Sequence, residues 1–147
     1  MDKKNLIRIA NFCVYQDRTQ QEVREKLASW NIDEEEAEEM IAFLITENYL
    51  NEERFARIFA GSKFRVKKWG RRKILYELKA RKLSSYCIQA GMSEIDPDLY
   101  WETLVKEVEK RSKEASLTEK QRVFRTLTGK GYESDLISAA WTEVWGK

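Results

Sequence analysis

Histidine is absent from this sequence of 147 residues, and cysteine, proline and glycine are scarce, with two, one and six copies. Histidine is the commonest general base and metal ligand, so its absence excludes histidine-dependent catalytic triads and zinc sites with histidine ligands. Two cysteines are too few for a four-thiolate zinc site. Composition alone leaves open a catalyst built from carboxylates, lysine, serine or tyrosine. We nevertheless expect no enzyme, no catalytic residue, no metal site and no cofactor.

Long apolar runs are also missing. None approaches the roughly 20 residues that cross a bilayer, and the first residues lead directly into an amphipathic pattern rather than into the apolar core of a signal peptide. We therefore expect a cytoplasmic protein with reduced thiols and no membrane partner. The two cysteines, Cys13 and Cys87, fall on apolar helix faces. We interpret them as small core residues rather than as a redox pair or metal ligands.

The apolar residues recur at helical spacing along nearly the whole chain, and no alternating run predicts a strand. Residues 33–36 have the pattern of a capping box, in which Asp33 accepts from the amide three residues on while Glu36 reaches back. Asp96 followed by Pro97 marks the start of a later helix. Gly129 and Gly131 supply the left-handed conformations that end a helix. The pattern predicts nine short helices.

The apolar pattern also repeats itself, after 51 residues and again after 49. The shift aligns apolar residues in four sets: Val23, Ile74 and Val123; Leu27, Leu78 and Leu127; Ile32, Leu83 and Tyr132; Ile41, Met92 and Trp141. We predict an all-α fold of three tandem three-helix repeats, at residues 1–48, 49–95 and 96–147. Because such small units need their neighbours for stability, the repeats should pack on one another as an elongated, curved helical body.

The formal net charge of +2 conceals a strong separation of charge. The basic segment, residues 63–82, contains ten basic residues and one acidic residue, so it has a net charge of +9 and leaves −7 for the rest of the chain. Lysine and arginine neutralise phosphates and release counterions, and the aromatic residues Phe64 and Trp69 suit stacking on unpaired bases. Trp69, beside Gly70, is the aromatic residue we expect to be exposed.

We predict a site for nucleic acid or a partner in this segment, made of Lys63, Arg65, Lys67, Lys68, Trp69, Arg71, Arg72 and Lys73. The alternative is a solvated charged surface that keeps a helical repeat protein soluble. A membrane-surface site fits less well, because Ile74 and Leu78 are needed in the core.

A second charged region is the acidic block, residues 33–39, in which six of the seven residues are acidic. It has the composition of a DNA mimic or of a docking face for a basic partner. We favour a third interpretation, that these carboxylates mainly stabilise their own helix, because acidic residues in the first turn interact favourably with the helix dipole.

Two stretches of the first two repeats resemble motifs of a known family. Residues 48–56 read Asn-Tyr-Leu-Asn-Glu-Glu-Arg-Phe-Ala, and Gly70, Ile74 and the pair Glu77-Leu78 follow at the spacing of a "Gly, three residues, Ile, two residues, Glu-Leu" signature. Residues 18–27, with Arg-Thr-Gln-Gln-Glu-Val and then Lys-Leu, are similar to the same family's opening pattern. The family is that of the RecX regulators of the RecA recombinase. In this chain Asn51 replaces its usual Asp, and Lys82-Leu83 replaces its usual Gly-Ile turn.

The resemblance implies three tandem three-helix repeats that lie along the groove of a RecA filament on DNA. It further implies that they limit the recombinase, ATPase and co-protease activities of RecA in DNA repair, recombination and the SOS response, without catalysis of their own. We therefore expect a monomer whose partners are the RecA filament and DNA, either single-stranded within the filament or duplex. Two alternatives stay open: a helical nucleic-acid-binding module without a recombinase partner, and a helical protein-interaction scaffold without a nucleic-acid role.

Overall fold

The computed structural model describes residues 1–146 and, within that range, contains nine α-helices and no β-strand. The helices are α1 Lys3–Tyr15, α2 Gln20–Ser29, α3 Glu34–Thr46, α4 Glu52–Arg65, α5 Arg71–Ala80, α6 Ser85–Met92, α7 Pro97–Arg111, α8 Leu117–Gly129 and α9 Ser134–Trp145. Repeat 1 consists of α1–α3, repeat 2 of α4–α6 and repeat 3 of α7–α9. The prediction of an all-α fold with three three-helix repeats is confirmed.

The three repeats follow one another as a linear array. In each of the most extensively packed helix pairs, such as α4 with α6 and α7 with α9, both helices belong to the same repeat. Within residues 1–146, hydrogen bonds and ion pairs join repeat 1 to repeat 2 and repeat 2 to repeat 3, but none joins repeat 1 to repeat 3. This arrangement gives each repeat only its sequence neighbours to pack against, which is typical of tandem repeat proteins.

The apolar cores do not follow the repeats one for one. Repeat 1 has a core of its own, which includes the fully buried residues Leu27 and Leu44. Repeats 2 and 3 share a single second core, in which Phe64 of α4 lies with Tyr100 of α7 and Trp141 of α9. Neighbouring repeats therefore pack on one another as expected. The apolar contact is much more extensive between repeats 2 and 3, which share a core, than between repeats 1 and 2.

Polar contacts join repeat 1 to repeat 2. Arg54 Nε lies 2.6 Å from Asp17 Oδ1 in an ion pair, and the backbone N of Gln20 donates to Glu52 Oε2 at 2.8 Å. Because both contacts lie at the start of α4, this end of the helix determines how repeat 1 is placed.

Side-chain caps start several helices, although one differs from the sequence prediction. Asp33 accepts from the amide of Glu36 as predicted. The prediction of the second, reciprocal bond of this capping box is wrong. Glu36 Oε1 accepts instead from the backbone N of Asp2 at 3.1 Å. A complete capping box occurs at the start of α2, between Thr19 and Glu22. Glu36 therefore ties the N-terminus of the chain to α3 rather than capping α3 a second time.

The two cysteines lie in apolar surroundings, as predicted. Cys13 is buried in the core of repeat 1, and Cys87 packs partly buried against the shared core. Burial raises the pKa of the Cys13 thiol, which disfavours the reactive thiolate. Among residues 1–146, no helix is long and apolar enough to cross a membrane.

The turn after the second helix of each repeat has the same left-handed backbone. The residues are Asn31 with φ 60°, Lys82 with φ 58° and Gly131 with φ 100°, separated by the intervals of the apolar repeat. Of the two glycines predicted to adopt this conformation, Gly131 does so and Gly129 does not, because Gly129 is still part of α8. The repeat therefore extends from apolar pattern to backbone conformation.

Lys82 occupies its left-handed position at a cost. A Cβ atom in this conformation costs roughly 1–2 kcal/mol, whereas glycine adopts it freely. We expect Lys82→Gly to raise the free energy of unfolding by about 1 kcal/mol, as measured by urea denaturation. The matched control is Lys79→Gly, an exposed site in the last turn of α5, which should lower the free energy of unfolding because glycine is a poor helix former and the variant loses a favourable charge at the helix end. A loss of stability in both variants would contradict the prediction.

Candidate nucleic-acid interface

The predicted site lies on three consecutive pieces of chain in repeat 2. Its eight residues are distributed as follows: Lys63 and Arg65 in the last turn of α4, Lys67, Lys68 and Trp69 in the connecting turn, and Arg71, Arg72 and Lys73 in the first turn of α5. We call residues 65–72 the basic turn. The structure brings these residues together because only five residues lie between the end of α4 and the start of α5.

Four of the eight residues have exposed side chains without a carboxylate partner among residues 1–146: Arg65, Lys67, Lys68 and Arg72. Lys68 Nζ donates to the carbonyl oxygen of Arg65 at 2.8 Å, and Lys68 itself has φ 59°. This left-handed residue lies in the turn between α4 and α5. The positive charge of the four side chains is thus available to an external polyanion.

Arg71 differs from these four because repeat 3 already neutralises it. Its guanidinium carbon lies 4.1 Å from the centroid of the Tyr100 ring, and its Nε lies 3.0 Å from Glu133 Oε2. The Nε atom is buried and its N–H is not aligned for a hydrogen bond, so the contact with Glu133 is an ion pair. Arg71 joins repeat 2 to repeat 3.

Phe64 is not available to a nucleic acid. Its side chain is only 2 % exposed and packs against Tyr100, with the ring centroids 5.8 Å apart. The reason is its position, since Phe64 follows the buried residues Ala56 and Ala60 at intervals of four on one face of α4. The prediction that Phe64 stacks on an unpaired base is wrong.

Trp69 is half-buried rather than fully exposed. Its ring meets Phe59 edge to face, and Nζ of Lys63 and of Lys73 lie 4.8 Å and 4.4 Å from its centroid. Such cation–π contacts are favourable and hold the two lysines against the ring. Both lysines would compete with a base for stacking on Trp69, so the exposed surface of the site is dominated by charge.

The basic turn is hydrogen-bonded to repeat 3 through its backbone. The amide of Gly70 donates to the carbonyl of Lys130 at 2.7 Å, and the amide of Arg72 donates to the carbonyl of Gly131 at 2.9 Å. Helix α5 has no side-chain cap, so its first amides would otherwise lack partners. Repeat 3 thus supplies the hydrogen bonds that a capping residue supplies elsewhere.

Two tyrosines of repeat 3 complete this contact. Tyr100 Oη accepts from the amide of Arg71 at 3.0 Å and donates to Glu133 Oε1 at 2.6 Å, while Tyr132 Oη donates to the carbonyl of Lys68 at 2.8 Å. Burial, together with the hydrogen bond to Glu133, raises the pKa of Tyr100, and burial raises that of Tyr132. Both hydroxyls therefore stay protonated over the physiological pH range and remain able to donate their hydrogen bonds.

These residues of repeat 3 are not among those that the sequence predicts for the site. One signal was present: Tyr132 is aligned with Ile32 and Leu83, so a hydroxyl occurs where the other repeats have only aliphatic groups. Nothing comparable marks Tyr100 or Glu133.

The acidic block lies at the start of α3, and half of its carboxylates are engaged within repeat 1. Asp33 caps the helix, Glu36 accepts from Asp2, and Glu38 Oε2 lies 2.7 Å from Arg24 Nε. The hydrogen bond from Arg24 lowers the pKa of Glu38. The cap of Asp33 agrees with the interpretation that the block stabilises its own helix, whereas Glu36 and Glu38 contact other parts of repeat 1.

The first turn of α5 has three basic and no acidic residues, which is electrostatically unfavourable. Acidic residues are preferred there because the helix dipole places positive charge at the N-terminus. We expect Arg72→Glu to raise the free energy of unfolding by about 0.5–1 kcal/mol while weakening nucleic-acid binding. Urea denaturation and fluorescence anisotropy of a labelled oligonucleotide measure the two effects.

The control for this variant is Lys106→Glu, an exposed site in the middle of α7 beside Glu102 and Glu109. It makes the same change in net charge but is remote from a helix end, so it should not stabilise the fold or weaken binding. Two outcomes would contradict the prediction that basic residues in the first turn of α5 lower stability. These are equal stabilisation by Lys106→Glu, and no stabilisation by Arg72→Glu.

Three family models match consecutive parts of the chain. They describe the first, second and third three-helix domains of RecX, and they match residues 8–44, 51–92 and 98–141.

Curated relatives carry the same family name. A "Regulatory protein RecX" from Clostridium perfringens (strain 13 / Type A) is 33 % identical over 128 residues, which cover 83 % of this chain and 59 % of the relative. One from Listeria innocua is 25 % identical over 148 aligned residues, with 98 % and 55 % covered. The chain thus spans somewhat more than half the length of these curated relatives.

Solved structures share the fold. The crystal structure of RecX from Lactobacillus salivarius matches with a TM-score of 0.86 and 23 % identity, covering 96 % of this chain and 94 % of that one. A crystal structure of a regulatory protein RecX matches with a TM-score of 0.83 and 20 % identity, covering 93 % and 71 %. At these identities the likeness concerns the arrangement of the nine helices.

Proposed function

The chain belongs to the RecX family, and on this basis we propose that it is a regulatory protein that binds the RecA–DNA filament and lowers its recombinase, ATPase and co-protease activities in DNA repair and recombination. It acts as a cytoplasmic monomer, without catalysis or a cofactor of its own. DNA binds at the basic segment, and RecA is the protein partner.

The observation that carries the DNA-binding part of the proposal is the basic turn. Its four exposed cations have no carboxylate partner within residues 1–146, and repeat 3 fixes the backbone that presents them. A preformed cluster of cations binds phosphates by releasing counterions, at little cost in ordering the protein. The same turn would contact phosphates of single-stranded or duplex DNA, since both have a charged phosphate backbone.

The test is a titration of preformed RecA filaments with the chain, in which DNA-dependent ATP hydrolysis is followed. We expect inhibition at concentrations well below those that cover the DNA, because a regulator acts on the filament rather than by competing for free DNA. Coverage of free DNA is measured in parallel by anisotropy. Inhibition only at concentrations that coat free DNA, or no inhibition, would contradict the proposed function.

The exposed charge of the basic turn also supports a second candidate, a nucleic-acid-binding module without a recombinase partner. In that case DNA or RNA affinity should fall steeply with salt and be indifferent to added RecA. Comparing binding to naked single-stranded DNA with binding to RecA filaments on the same DNA separates the two candidates.

A further inference from the structure

A cleft of about 330 Å³ lies between repeats 1 and 2. Phe55, Ile58 and Phe59 of α4 form its apolar wall, and Gln16 and Asp17, which follow α1, form the opposite side. Its volume is within the range of roughly 300–1,000 Å³ in which proteins bind small ligands, so it has room for a protruding side chain.

The cleft continues around the end of α1. A second cavity of about 260 Å³ shares Gln16 and Asp17 with it and extends to Val14 and Tyr49. Val14 is 68 % exposed and Ile58 is 51 % exposed. Exposed aliphatic residues grouped around a cleft are typical of a protein-docking surface, which has apolar anchors at its centre and polar groups at its rim.

Charge at the rim indicates the chemistry of the occupant. The carboxylate of Asp17 is already paired with Arg54 at 2.6 Å. Lys63 lines the cleft and has no carboxylate partner among residues 1–146. The rim is therefore positive, and it is complementary to a segment with an apolar side chain beside a carboxylate.

A nucleobase is a poorer match to the same cleft. The ring of Phe59 is stacked on Phe55, with the centroids 5.7 Å apart, and the guanidinium of Arg81 lies 4.5 Å from its centroid. Both contacts occupy surface that a base would need for stacking. The aliphatic residues Val14 and Ile58 offer nothing to a phosphate.

We infer that this cleft is the docking site for a protein partner, which inserts an apolar side chain flanked by a carboxylate. The inference rests on the proposed function, in which the partner is a RecA subunit of the filament. The chain then has two adjoining contact surfaces: the basic turn binds phosphates, and the cleft between repeats 1 and 2, with Lys63 at its rim, binds protein.

The test uses Ile58→Glu in the full chain, with helical content checked by circular dichroism. This variant places a negative charge where the partner's carboxylate would approach. We expect affinity for RecA filaments on single-stranded DNA to fall at least tenfold, and affinity for the naked DNA to stay within twofold. Tyr86→Glu, at an exposed apolar residue of α6 outside the cleft, is the matched control and should change neither affinity.

A second variant keeps the inference testable if Ile58→Glu perturbs the fold. Ile58→Lys also introduces a long charged side chain, but its charge is positive and suits an acidic partner. It should therefore weaken filament binding less than Ile58→Glu does. Unchanged filament binding in Ile58→Glu, or equal losses on filament and naked DNA, would overturn the inference alone. A wild-type chain that binds filaments no more tightly than naked DNA would overturn the proposed function, and the inference with it.

Discussion

Replacing Gly70 with alanine is expected to lower the free energy of unfolding by about 3 kcal/mol or more. A Cβ atom at position 70 would lie 2.2 Å from the carbonyl carbon of Gly131 and 2.3 Å from the backbone N of Tyr132. Backbone atoms cannot rotate away as the end of a flexible side chain can. The new methyl group would therefore separate the basic turn from repeat 3 and break the hydrogen bond from Gly70 to Lys130.

Thermal and urea denaturation measure this effect. For a chain of this size, 3 kcal/mol corresponds to a fall of roughly 10 °C in Tm. Gly129→Ala is the matched control, because apart from the adjoining backbone of α8 no atom of residues 1–146 lies within 4 Å of the position a Cβ would take there. We expect that variant to be as stable as the wild type or slightly more stable. Similar losses in the two variants would show that the close backbone approach at Gly70 is not the cause.

Reversing three charges of the basic turn, Arg65→Glu, Lys67→Glu and Arg72→Glu, is expected to weaken binding to single-stranded DNA about 100-fold. Each reversal near a protein surface is worth on the order of 1 kcal/mol, and 1.4 kcal/mol corresponds to a factor of ten in affinity. The dependence of log affinity on log salt should also become shallower by about 2, because fewer counterions are released. Anisotropy titrations at several salt concentrations measure both quantities.

The control for this triple variant reverses three exposed lysines of repeat 3, Lys106, Lys110 and Lys113. It makes the same change in net charge, so an equal loss of affinity would assign the effect to the overall charge rather than to the basic turn. Arg71 is left unchanged, since Arg71→Glu would oppose the carboxylate of Glu133 and mix a folding defect with a binding defect.

The helices and their repetition could be predicted because they depend on residues close together in sequence. Val23, Ile74 and Val123, aligned by the apolar repeat, are all fully buried. The ends of the helices are nearly as local, since Asp96 caps α7 directly before Pro97. The boundaries at residues 48/49 and 95/96 stay a prediction.

The state of each residue of the predicted site could not be predicted, because it depends on tertiary contacts within and between repeats. Arg71 and Arg72 are neighbouring residues of the same type, yet Glu133 neutralises only Arg71. Trp69 was expected to be exposed beside Gly70, but Phe59 from the preceding helix covers its edge. Charge density predicts the site, which stays a prediction, whereas only the structure shows which of its side chains are already engaged within the fold.

The division of the apolar cores has a consequence for how the molecule opens. Residues 1–146 form three repeats but two cores, so repeats 2 and 3 should exchange their backbone amides with solvent as one cooperative unit and repeat 1 as another. The basic turn lies wholly within the larger unit, whereas the cleft exists only while the two units are together. Local unfolding of repeat 1 would thus abolish the cleft and leave the basic turn intact.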